Sequence, residues 1–167
     1  MSRFIRRLEK VSDILNGLLV AIAGAFLVAM MVLASANVLL RSLGFPIKGT
    51  FELMGFFGSL VAAFALGKSQ MGREHIAVDV LIQHFPVGVK KVLSGIGYFI
   101  AALFFVLTSW QTARWATTLW RVNELSETLR IIYYPFVYSV SLGCLVIALV
   151  LLIDMLKLVN GDKEVQS

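Results

Sequence analysis

The sequence is short of charge, of proline and of cysteine. Only 15% of its 167 residues are charged, and it holds three prolines and one cysteine. Soluble domains carry about 25% charged residues, so an ordinary water-soluble fold is excluded. A single thiol, Cys144, makes no internal disulfide. Inside an apolar run it reads as a small buried hydrophobe. Histidine is scarce too: His75 and His84 fall in one inter-helix segment. Haem or metal ligands in a helical bundle face one another from within the helices, so no cofactor or metal is expected. There is no Ser-His-Asp set, no Gly-rich phosphate loop and no acid pair within an apolar run. Catalysis is therefore not expected. Ion and proton pathways carry ionisable groups inside the membrane, and here the one candidate, Glu52, stands at an edge. Interrupted half-helices, the mark of many transport sites, are also missing.

What is present is apolar. Hydrophobic residues make up 59% of the chain, and the mean hydropathy is +0.85. This is the composition of an integral membrane protein. The net charge of +5 then reflects cytoplasmic Lys and Arg, not nucleic-acid binding.

Four apolar runs divide the chain. Ile14 to Leu40 contains no ionisable residue over 27 positions, enough to span with tilt. Runs of 22 and 23 residues lie between Lys91 and Arg114 and between Arg130 and Asp154. The remaining run, Leu53 to Gly67, has 15 residues. It covers only about 22 Å, against a bilayer core of roughly 30 Å. Glu52 and Lys68 must then sit near the headgroups. Lys68 snorkels on its long stem. Glu52 is shorter and needs a cation or the amides of a helix start. It is expected to pair with Arg41 or Lys48.

These runs predict an all-α integral membrane protein with four transmembrane helices in a single membrane domain, 1–167. The expected spans are approximately 14–40, 50–68, 91–114 and 131–153, and the rest is arranged to hold the second. Arg3, Arg6, Arg7 and Lys10 with Ala34-Ser35-Ala36 imitate a cleaved signal. Secretory apolar cores run only about 7–15 residues, so an uncleaved first span is expected. With both termini inside, the cytoplasmic segments hold 10 of the 15 Lys and Arg. That two-to-one bias favours N-in, C-in.

The helices carry small-residue stripes. Gly55, Ser59, Ala63 and Gly67 recur every four residues in the second span, and Gly17, Ala21, Ala25 and Ala29 in the first. Ser139 and Gly143 form a weaker pair in the fourth. Such stripes let backbones approach where lipid gives no drive for association. The second-span stripe is read as a contact face, with its partner left open between this chain and another. Asn37 and Ser35 offer hydrogen bonds to a neighbouring helix.

The segments between spans are patterned. His75, Asp79 and Gln83 share one helical face before Pro86. This predicts a short inner interfacial helix over approximately 76–85. Trp110, Trp115 and Trp120 surround the end of the third span with Arg114 and Arg121. Tryptophan prefers the interface, so this helix is expected to continue past the membrane. Glu124, Glu127 and Arg130 cap the loop that follows. Tyr133, Tyr134 and Tyr138 extend the aromatic belt, and Pro135 falls in a first turn, where its missing N–H does least harm.

The order of these features resembles the DctQ-type small membrane subunit of tripartite ATP-independent periplasmic (TRAP) transporters. The shared pattern is Arg41 closing the first span, Glu52-Leu53 opening the second, and small residues around Ala62-Ala63. His75-Ile76-Ala77-Val78 with Asp79 follows in the inner loop, and Ser126, Thr128 and Leu129 precede the fourth span. The chain departs in having Phe51 before Glu52 and Ile132, not proline, soon after Leu129. The resemblance covers nearly the whole chain. It implies a large elevator-type membrane subunit and a periplasmic substrate-binding protein as partners, within membrane lipids of the bacterial inner membrane. It further implies sodium-driven uptake of a small organic anion, such as a C4-dicarboxylate or a sialic acid. The small subunit would widen the static scaffold. The outer segments, 41–52 and 114–130, with Lys48, Arg114 and Arg121, are expected to help seat the binding protein. Two other classes remain open from the residues alone. A membrane anchor of a redox complex needs histidines in the spans, and a small self-sufficient exporter needs a deep charge.

Overall fold

The computed structural model describes residues 3–71 and 87–159. The interfacial helix expected over 76–85, with His75, Asp79 and His84, lies outside the described residues. The described chain is helical: α1 (Arg3–Ser42), α2 (Thr50–Met71), α3 (Val87–Val122) and α4 (Tyr134–Val159). All four are long and apolar enough to cross a membrane.

Their lengths differ for legible reasons. α1 has 40 residues, about 60 Å, because its apolar run continues backwards through good helix formers to Arg3. Glu9, on this extension, accepts a hydrogen bond from Lys157 Nζ on α4 at 2.5 Å. The start of α1 and the end of α4 therefore lie at one end of the molecule, here called the terminal end. α3 runs on to Val122, past Arg114, as the tryptophan spacing predicts.

The opposite end is closed by tight turns. α1 stops at a Schellman motif: Phe45 N donates to Leu40 O at 2.9 Å and Gly44 N to Arg41 O at 3.1 Å. Gly44 takes φ +88°, which a side chain disfavours, and Pro46 forbids continuation. Among the described residues Asn37 makes no hydrogen bond to a neighbouring helix. Its Oδ1 accepts from Ile47 N at 2.9 Å, fixing the turn that leads into α2. α3 ends in the same manner with Asn123 at φ 50°, Glu124 N donating to Leu119 O at 3.2 Å. Asparagine is the commonest stand-in for glycine at this position.

The helices pack as a triangle with a flanker. α2 lies against both α1 and α4, α1 also touches α4, and α3 leans on α4. Leu19 and Ala23 of α1, Leu60, Ala63 and Phe64 of α2, and Val146 of α4 form the shared core. Ala102, Ile147 and Leu151 join α3 to α4. Of the most apolar stretch of each helix, 50% is buried in α4, 33% in α2 and 11% in α1 and α3. α4, not the second span, is thus the most enclosed element. Its residues Val146, Ile147, Ala148, Val150 and Leu151 are buried in close succession, as is the thiol of Cys144.

Candidate functional site

Two features stand out: a clasp at the turn-closed end and a set of helix faces without a partner among the described residues. The clasp starts from Glu52. It sits in the first turn of α2, where the helix dipole favours an anion. Its carboxylate does not pair with Arg41 or Lys48, whose side chains are exposed. Instead Oε1 accepts from Thr128 N at 2.7 Å and Oε2 from Leu129 N at 3.1 Å. Two backbone amides side by side form a small anion-binding nest. They suit a short side chain that cannot reach far for a cation.

The loop holding the nest is itself braced. Leu125 and Ile132 form an antiparallel bridge. Ser126 N donates to Ile131 O at 2.9 Å, and Ile131 N donates to Ser126 Oγ at 3.2 Å. Arg130 adopts φ 53° to close the turn. On the other side, Gly49 has φ +74°, and a Cβ there would run into the Leu129 side chain. Gly49, Glu52, Thr128 and Leu129 therefore lock the loop before α2 to the loop before α4.

Small residues make the deepest contacts. At Gly143 a Cβ would stand 2.7 Å from Ala63 O, so the α2 and α4 backbones touch there. At Gly67 a Cβ would strike Asn16 Oδ1. Asn16 is fully buried on α1, and its Nδ2 donates to Ser12 O at 2.9 Å. Its Oδ1 has no hydrogen-bond partner among the described residues. It lies where a Gly67 side chain would stand, against the Cα–H, a weak donor.

The stripes expected from spacing are thus divided. Ala63 and Gly67 are buried, whereas Gly55 and Ser59 are exposed. Gly17, Ala21 and Ala25 are exposed as well, and a Cβ on Gly17 or Gly55 meets nothing within 4 Å. Ser139 Oγ turns back to Pro135 O at 2.8 Å, while Gly143 is the closest approach to α2. The cations Arg41, Lys48, Arg114 and Arg121 are all exposed at the clasp end.

Three interactions were not expected from the sequence. Asn16 follows Asp13 so closely that it reads as part of the polar flank. Its spacing of four from Ser12 was the available signal. Ser109 and Ser141 exchange bonds across α3 and α4: Ser109 Oγ donates to Ser141 O at 2.9 Å and Ser141 Oγ to Ser109 O at 2.8 Å. Hydroxyls joining helices are expected in lipid, but nothing in spacing pairs positions so far apart. Thr128 and Leu129 belong to the shared pattern before the fourth span, but nothing in side-chain spacing points to their backbone amides. Among the described residues no three His, Cys, Asp or Glu side chains gather as a metal site.

Residues 30–161 match the family model described as "Tripartite ATP-independent periplasmic transporters, DctQ component". The match takes in the whole clasp, α2, α3 and α4. No curated protein and no solved structure matches the chain.

Proposed function

The chain belongs to the DctQ family, the small membrane component of TRAP transporters, and on that premise we propose that it is the fixed support of a larger elevator-type subunit. In this reading the complex takes up a small organic anion, a C4-dicarboxylate or sialic-acid-like molecule, driven by sodium. A periplasmic binding protein delivers the anion. The clasp end faces the periplasm and the terminal end the cytoplasm of the inner membrane, as the Lys and Arg bias favours.

The observation that carries the reading is the open stripe of α1. Gly17, Ala21 and Ala25 repeat at helical spacing on an exposed face, with none of the described residues over Gly17. Small residues in a membrane helix cost contact with lipid unless another backbone comes close. None of the chain's described helices comes close there, and in this reading a helix of the larger subunit does. Exposed Gly55 and Ser59 extend the same opportunity on α2. A support of this kind must not deform when its partner moves. The Gly143–Ala63 contact and the Glu52 nest supply that stiffness. Lys48 and Arg121, exposed beyond the membrane boundary, are the contacts for the binding protein.

The test is co-purification of the large subunit with Ala21→Leu and Ala25→Leu. The reading expects the large subunit to be lost while the small chain keeps its helicity and melting temperature. Undiminished recovery of the large subunit would remove the support for it.

A further inference from the structure

The tryptophan-rich end of α3 carries a feature that the scaffold role does not use. Arg114 and the residues around it form an open groove of about 390 Å³ lined by Gln111, Thr112, Arg114, Trp115 and Thr118. The groove lies mainly on the side of α3 away from α4, with half-buried Thr112 at its edge. The side facing α4 is marked by buried Ser109, Ala116 and Leu119, and Trp110, Gln111, Arg114, Trp115 and Thr118 are exposed.

From the groove we infer that α3 holds the phosphate of one membrane phospholipid, with Arg114 as the binding cation. The first argument is depth. No charged residue stands between Lys91 and Arg114, a rise of about 33 Å. A bilayer core is roughly 30 Å thick, so Arg114 leaves the helix at the headgroup boundary. Helical side chains tilt toward the helix N-terminus, which for α3 means back toward the lipid. The guanidinium follows that tilt and rests over the Trp110 ring, 5.3 Å from its centroid. The cation therefore sits at the level of phosphates, not above them.

The second argument is unspent bonding capacity. Stacking on an indole uses the face of the guanidinium and leaves its five N–H donors free. Among the described residues no carboxylate pairs with Arg114. A phosphodiester offers one negative charge and acceptor oxygens in the geometry the guanidinium fork prefers. Gln111 adds an amide donor on the same face. Trp110 and Trp115, both well over half exposed, supply rings that favour the glycerol and upper acyl region. Arg121 shares the helical face with Arg114, seven residues on. It stands about 10 Å further out, beyond a phosphate held at Arg114, and so serves as an internal control.

The experiment is native mass spectrometry of the full chain in detergent with added phosphatidylglycerol. Parallel samples receive diacylglycerol or inorganic phosphate. One phosphatidylglycerol should stay bound per chain, with no diacylglycerol retained and no displacement by inorganic phosphate. Arg114→Gln should lower retention about tenfold, and Trp110→Leu should lower it less. Arg121→Gln should leave it unchanged. Equal retention in Arg114→Gln, or an equal loss in Arg121→Gln, would overturn the assignment. Displacement by inorganic phosphate would replace the lipid with a free anion. The measurement needs only this chain, so its outcome is separate from that of the transport reading.

Discussion

The Ala63 and Gly67 half of the α2 stripe and the stripe of α1 look alike on paper and are buried differently. On α2, Ala63 and Gly67 are buried against Gly143 and Asn16. On α1, Gly17, Ala21 and Ala25 repeat at the same spacing and are exposed. Both let a backbone come near. In one case this chain supplies the group that fills the space, and in the other we propose that another molecule does. A stripe therefore tells where close packing is possible and is silent on who supplies the other side. The clasp shows how the first case is held in place: the amides that bind Glu52 set the position of α4 relative to α2, so Gly143 arrives opposite Ala63.

That contrast can be broken at several points. The largest effect is expected at Gly143→Leu, where the new side chain must push away the Ala63 backbone. A loss of about 3 kcal/mol, seen as a collapse of folded yield and melting temperature in detergent, is the expected result. A neutral Gly143→Leu would mean that α2 and α4 do not touch there. Gly67→Leu comes next, because it collides with buried Asn16. Pairing it with Asn16→Ala should recover part of the loss by clearing that space, a coupling a double-mutant cycle can measure.

The clasp follows. Glu52→Gln offers one acceptor oxygen where two amides need partners, and presents an NH₂ toward an N–H. Protection of the Thr128 and Leu129 amides against hydrogen exchange should fall, and assembly with the large subunit should drop. Unaltered exchange at both amides would separate Glu52 from the loop. Ser109→Ala should cost about 0.6 kcal/mol, the usual size of a polar contact between membrane helices. The smallest effect on the isolated chain belongs to Gly17→Leu. Its melting temperature should hardly move, within about 0.5 kcal/mol, while recovery of the large subunit falls. A fold-destabilising Gly17→Leu would show that the α1 stripe is an internal contact after all.

Much of the fold was legible because apolar runs and their charged ends obey lengths set by the bilayer. The four helices follow from that, the overrun of α3 from its tryptophan spacing, and the harmless place of Pro135 from the start of the fourth run. The start of α1 at Arg3 was not legible, since an apolar run marks only the part of a helix that lipid demands. What the run leaves open, Glu9 and Lys157 help fix. Glu52 is marked by its position at the edge of a short span; of the two kinds of partner expected, a cation or amides, amides hold it, and they belong to the loop before α4 instead of its own helix start. Backbone amides are the same in every residue, so only the turn made by Ser126, Arg130 and the Leu125–Ile132 bridge reveals them. Asn16 and the Ser109–Ser141 exchange were missed because their meaning depends on which helices become neighbours.

Cys144 follows directly after Gly143, and its thiol is buried. Because the sequence contains no second sulfhydryl, alkylation by a maleimide serves as a built-in clock. The label can attach only when α4 peels from its neighbours, so its rate counts those excursions without any engineered probe. Running that clock before and after the transporter's other chains are added asks how still this component stands while solute moves.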